Sequence, residues 1–237
     1  MSARFSSEVL ESLLKSMSPE KPVIRFARTL SEMQQIYKLT HECYVASGYC
    51  APKPAGMIVH YPDFDHLPES THLIAVLGEK VVGAMSLTED GPGGFTIEDD
   101  FKKECEAIRQ EGLKVGSLWR LVVDESTREG RVVVIALMQA IHALLLEQKI
   151  ETALMVINPK HESVYKRACN ATIVARRNET RGLSNAPAVL MRFDPAGLPP
   201  NSVFSSQRTR VPAISDLILN SNFLNLFSIQ KNSVFAF

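Results

Sequence analysis

Two residue pairs and one strand-to-helix junction hold the side chains best suited to chemistry. His161 and Tyr165, within INPKHESVYKRA, are four residues apart, so on a helix they share a face. An imidazole near its ordinary pKa can accept a proton from an amine, and a phenol can lend a proton or a hydrogen bond to a departing group. The plainer reading has His161 capping a helix start and Tyr165 packed in an amphipathic core with its hydroxyl at the rim. Asp63 and Asp65 flank Phe64. Such carboxylates could hold an ammonium group, or form a solvated turn closed by an Asx hydrogen bond. His60 and His66 lie nearby at no diagnostic spacing, so no metal site is expected. Arg120 stands mid-strand between Trp119 and Leu121, where an unpaired guanidinium is costly. It needs a carboxylate, either internal or from a bound amino acid, and its planar fork suits both. The junction LWRLVVDESTREGRVVV (118–134) reads as a strand, a charged turn and an apolar helix. A helix N-terminus delivered by a strand offers unpaired N–H groups and a positive dipole end to an anionic or carbonyl-bearing ligand.

The elements that must position these residues follow from pattern. VIRFART (23–29) alternates as a half-buried strand, and LSEMQQIYKLTHECYV has apolar residues at near-helical spacing with Ser31 as N-cap. A long loop rich in Pro, Gly and Asp then carries Asp63 and Asp65; loops of that length in compact domains are usually functional or mobile. Strands at 73–77 and 81–87, joined by Gly78-Glu79-Lys80, make an antiparallel hairpin. Ile97, Phe101, Cys105 and Ile108 mark a charged helix closed by Gly112. A strand at 117–123, a long helix from about 129 to 148, and ETALMVINP as a strand form one crossover and one parallel pair. KHESVYKRACN is a short helix, and ATIVARR and APAVLMRF are the last strands. The sum is an α/β fold, a mixed and largely antiparallel sheet flanked by helices in a single domain. We divide the chain into an N-terminal helical extension (1–22), the domain proper (23–194) and a tail (195–237) that reads as a docking arm or a partly disordered segment.

Composition narrows the class. With 237 residues, 45% hydrophobic, 22% charged and a formal net charge of +0, the chain reads as an ordinary globular protein without a nucleic-acid signature. Four scattered cysteines without CxxC spacing, and a start that lacks a signal peptide's apolar centre, point to a reducing cytoplasm. The apolar run Val132 to Leu146 is shorter than the roughly 20 residues of a bilayer span, so a buried helix is expected and no transmembrane segment.

The element order, the junction RLVVDESTREGR and the segment INPKHESVYKRA together resemble the GNAT acyltransferase superfamily. The resemblance implies an acyl thioester co-substrate, with no permanently bound cofactor. It implies that Leu121, Val122 and Val123 offer backbone contacts to the pantetheine arm, that Arg128, Gly130, Arg131 and Asn158 complete the donor site, and that Tyr165 assists thiolate departure. The family turn runs Arg/Gln-x-x-Gly-x-Gly/Ala, whereas Arg128-Glu129-Gly130-Arg131-Val132-Val133 keeps one glycine and replaces the second with bulk. That departure disfavours tight coenzyme A binding, because glycines permit close approach to a diphosphate.

A narrower resemblance spans about 23–193. IYKLTHECYVASG, HYPDFDHLPESTHLIAVLGEKVVGAMSLTEDGPGGFTIEDDF, SLWRLVVDES and VINPKHESVYKRA look like the branch of N-acyl amino acid synthases and acyl-homoserine lactone synthases. It implies long acyl chains, commonly from acyl carrier protein, and a small-molecule amine acceptor. Asp63 and Asp65 resemble the acidic positions of the lactone branch, and with Arg120 would contact the acceptor. Ser86 and Ser117 stand where that branch has Arg and Glu, which favours the amino-acid variant. Over 120–192 we count eleven Lys/Arg against seven Asp/Glu, an excess of the kind that steers an acidic carrier. Two alternatives remain open: acetyl transfer from acetyl-coenzyme A, and a non-catalytic acyl-binding module of the same fold.

Overall fold

Seven strands form one sheet in the order β1-β2-β3-β4-β5-β7-β6, and every neighbouring pair is antiparallel except β4 and β5. In chain order the elements are β1 (Val23–Phe26), α1 (Leu30–Ala46), β2 (Ser70–Leu77), β3 (Lys80–Glu89), α2 (Glu98–Arg109), β4 (Val115–Val123), α3 (Gly130–Glu147), β5 (Thr152–Ile157), a 3-10 turn (Pro159–His161), α4 (Glu162–Cys169), β6 (Thr172–Arg177) and β7 (Ala188–Phe193). This computed structural model describes residues 22–128, 130–180, 186–199 and 201–205. The expected N-terminal helix and the tail beyond 205 lie outside the described residues, as does Glu129 of the junction.

Local chemistry starts α1 two residues earlier than the expected Ser31 cap. Thr29 Oγ1 accepts from Glu32 N at 3.2 Å while Glu32 Oε2 accepts from Thr29 N at 3.1 Å, a reciprocal capping box. Glu32 also binds Arg25 at 2.6 Å, which fastens β1 to the helix it feeds. The hairpin turns at Gly78, whose φ of +58° suits a residue without Cβ.

Helices cover both faces. On one, α3 lays Val133, Leu137, Ile141 and Leu145 on Leu73, Ala75, Leu118, Ala153 and Met191, all buried. The apolar run that could be mistaken for a membrane span is thus used in the core: α3 has the length and composition to cross a membrane, and half of it is buried against the sheet. It sits close, because a Cβ on Gly83 of β3 would fall 2.6 Å from Val133 Cγ1. On the other face α1 covers Ile74, Val76, Val81 and Val122, while α2 packs Phe101, Cys105 and Ile108 on Val115, Leu154 and Leu190. Between α1 and α2 that face holds a strip of buried polar groups, including Asp65, His72, Ser86, Ser117 and Arg120.

The segment after Asp194 begins as part of the body. Leu198 and Phe204 are buried in the α3-side core.

Candidate active site

The sheet opens where β4 and β5 part. Their pairing runs from Val115 with Thr152 to Leu118 with Met155 and stops, although β4 continues to Val123 and β5 to Ile157. The cause lies in β4. Trp119 faces Ser86 and Val122 faces Ala84, so Arg120 and Leu121 together oppose the single residue Met85. This bulge carries Arg120 at φ +53°, a left-handed conformation that is costly for a side chain with a Cβ. The bend diverts β4 from β5 and leaves its edge beyond Leu118 without a strand partner on that side.

A cavity of about 430 Å³ fills the opening and reaches both faces of the sheet. Met85, Leu118, Val134, Met138, Tyr165 and Phe204 make an apolar end beneath α3 and α4. Tyr44, Ser47, Tyr49, Trp119 and Arg120 make a polar, aromatic end beside α1. Leu121, Val122, Val123, Asn158, Lys160 and His161 also line it, so most residues singled out from sequence converge on one space.

The polar end is built on Arg120 and Asp65. Arg120 is fully buried; Nη1 lies 2.6 Å from Asp65 Oδ1 and Nη2 donates to Oδ2 at 3.0 Å. Its guanidinium stacks over Trp119 at 4.3 Å. Nε is buried and has no hydrogen-bond partner among the described residues. Asp65 is thus taken up by Arg120, and Asp63 is exposed at the surface. Of the two readings open for the aspartates, a paired carboxylate site and a solvated turn, the pair does not form, and the internal carboxylate sought for Arg120 is Asp65 itself. The Asp65 carbonyl also lies 3.0 Å from His72 Nε2, while His72 Nδ1 meets Ser86 Oγ at 2.9 Å. Burial pushes His72 down to about 4, so it is neutral at ordinary pH and its 3.9 Å approach to Asp65 Oδ1 is no ion pair.

His60, weighed from sequence only as a metal ligand, and two tyrosines given no role there complete this end. Tyr44 OH bonds His60 Nδ1 at 3.0 Å, and burial, with the Arg120 charge, pushes His60 down to about 3. Tyr61 packs edge-on against Trp119. Their signal was the run of aromatic residues in ECYVASGY and HYPDF, which spacing alone did not single out.

At the end of β5, Asn158 Oδ1 accepts from Lys160 N at 3.1 Å and starts the turn that leads into α4. His161 is exposed, caps nothing with its side chain, and is held below its ordinary value by burial and then by Lys160. Tyr165 is pushed up to about 12, by burial first, and its hydroxyl makes no hydrogen bond among the described residues. In the junction, Asp124 Oδ1 accepts from Ser126 N at 2.8 Å, and Gly130 N already donates to Thr127 O at 3.0 Å. One amide that a diphosphate would use is thereby occupied. Arg128 and Arg131 are exposed and enter no ion pair among the described residues, unlike Lys166, Arg176, Arg177 and Arg192. No group of three His, Cys, Asp or Glu side chains is placed to hold a metal ion among those residues.

A model of the N-acyl amino acid synthase FeeM family matches residues 35–194, a span that contains both parting strands, β4 and β5. The chain belongs to this family. It is an N-acyltransferase with a GNAT-like fold. The structure of FeeM, an N-acyl amino acid synthase from uncultured soil microbes, superposes with a TM-score of 0.67 at 22% identity, covering 80% of this chain and 98% of that one. BjaI, a CoA-dependent acyl-homoserine lactone synthase, superposes at 0.56 and 18% identity, covering 73% and 83%. An aminoglycoside 6'-acetyltransferase type Ii superposes at 0.50 and 16%, covering 75% and 99%. No curated protein matches the chain by sequence.

Proposed function

We propose that this N-acyltransferase joins a long acyl chain, delivered as a thioester of acyl carrier protein, to the amine of an amino acid or similar small molecule. The observation that carries this reading is the division of the cavity: apolar beneath α3 and α4, polar and aromatic beside α1, with the strand opening between. An apolar tail and a charged acceptor each find matching surroundings, and the carbonyl falls at the seam.

The amine nitrogen attacks the thioester carbonyl carbon; the C–N bond forms as the C–S bond breaks. A thioester needs little electrophilic help, so positioning supplies most of the acceleration. Backbone groups of Leu121, Val122 and Val123 line the thioester's path, with Asn158, Arg128, Gly130 and Arg131 on the donor side. His161, neutral at ordinary pH, accepts the amine proton. A thiol, with its pKa of about 8.5, is a stronger acid than the Tyr165 phenol. Tyr165 therefore stabilises the departing thiolate by donating a hydrogen bond, and the thiolate takes its final proton from solvent. Arg120 Nε, which has no partner among the described residues, is a donor for an acceptor carboxylate, while Asp65 holds the guanidinium in place.

Two features support a carrier protein over coenzyme A: the bulk that replaces the second glycine, and the engaged Gly130 amide. Mass spectrometry of lipid extracts from a bacterium overexpressing the protein tests the whole reading. New N-acyl amino acids are expected; none, with soluble protein present, overturns it.

A further inference from the structure

The family match ends at residue 194, yet the chain beyond it completes the cavity wall. His142 Nε2 lies 2.9 Å from Pro195 O, and Gln139 Nε2 donates to Val203 O at 2.9 Å, both from α3. From the tail side, Ser202 Oγ donates to Ala168 O of α4 at 2.5 Å, and Phe204 N donates to Ser202 Oγ at 3.1 Å. These bonds fix the chain across the two helices. Val203 is left 44% exposed, and Phe204 is turned inward at 6%. The Phe204 ring closes the apolar end of the cavity, 6.3 Å from the Tyr165 ring centroid.

We propose that Phe204 determines acyl chain length: its ring is the end wall against which the chain stops. This rests on the acyl-transfer reading above. Among the described residues that end contains no charge that would arrest an alkyl chain, so volume sets the limit. Met85 and Met138 are flexible and yield to a ligand, whereas a two-torsion aromatic ring on a hydrogen-bonded turn does not. Up to the wall each methylene adds about fourfold in affinity; past it, a further methylene must displace the ring and gains nothing.

The test is a chain-length profile of the full-length protein and of Phe204→Ala, Phe204→Leu and Phe204→Trp. Two readouts are taken: turnover of butyryl to stearoyl thioesters with one amine, and displacement of cis-parinaric acid by the matching fatty acids. Phe204→Ala and, less so, Phe204→Leu should move both optima to longer chains, gaining roughly fourfold for each added methylene that the vacated space accepts. Phe204→Trp should move them to shorter chains. Opposite shifts cannot arise from general destabilisation, and melting curves identify any variant that fails to fold, in which case the remaining ones carry the test. Unshifted optima in every folded variant, whatever the overall loss, overturn the proposal. If no thioester is turned over but the binding optima shift as stated, the wall stands and the acyl-transfer reading falls. Turnover with unshifted optima has the reverse meaning.

Discussion

Arg120 and Asp65, 55 positions apart, meet inside the protein with Nη1 2.6 Å from Oδ1 and Nη2 3.0 Å from Oδ2. The pair joins the loop before β2 to the bulge in β4, so the polar end of the cavity and the parting of the strands share one anchor. Removing a single partner leaves a buried charge uncompensated. Arg120→Met or Asp65→Asn should each cost about 3–5 kcal/mol in urea unfolding, and Arg120→Met with Asp65→Leu should recover most of the loss. Additive losses in the double variant would mean that the pair is not the anchor.

Tyr165→Phe removes the hydroxyl and keeps the ring against Phe204. With an alkyl thioester, turnover should fall by roughly 10²-fold or more, the order expected for a positioned donor. A thiophenyl ester, whose leaving group needs far less stabilisation, should lose much less. Equal losses with both donors would place Tyr165 in packing alone.

His72 makes stability depend on pH. The fold keeps it neutral down to about 4, whereas the unfolded chain protonates it below about 6.5. Unfolding therefore takes up a proton in that window, so this contribution is complete above 6.5 and lost as pH falls toward 4, at a limiting slope of about 1.4 kcal/mol per pH unit. His72→Asn should flatten the fall in urea midpoint between neutral pH and pH about 5. An unchanged slope would show that other groups govern it.

Arg128 and Arg131 are exposed and enter no ion pair among the described residues, so both are available to meet an acidic carrier. Reversing both to Glu should raise the Michaelis constant for acyl carrier protein by roughly tenfold, and added salt should weaken wild-type turnover in the same way. Carrier-free acyl thioesters should respond little to either change. If they lose as much, the turn shapes the thioester site itself.

Much of the frame was legible in the chain because local patterns encode it. The hairpin followed from Gly78, α2 from the spacing of Phe101, Cys105 and Ile108, and the parallel pair from one long helix between two strands. The capping box at Thr29 and Glu32 was also present, but Ser31 offered a competing cap. The aspartates misled for a geometric reason: Asp65 N donates to Tyr61 O at 3.2 Å, and the turn it closes sends Asp65 inward and leaves Asp63 outside. Spacing could require a partner for Arg120 without saying which, since that choice depends on a contact across 55 positions. Nothing in the residue type foretold a left-handed Arg120, where Gly is the usual occupant. Phe204 left a trace as one of several large apolar residues in a Ser/Asn-rich tail, but its docking on α3 and α4 is tertiary.

The parting of β4 and β5 is a property of backbone register, set by two residues standing opposite Met85. Lining side chains can therefore drift through mutation without sealing the cleft, and selection is free to exchange one acceptor for another while the frame persists. Proteins as unlike in substrate as an acyl-homoserine lactone synthase and an aminoglycoside acetyltransferase share the overall fold with this chain at 18% and 16% identity. In this chain the backbone places the gap, and the side chains that line it decide what the gap will hold.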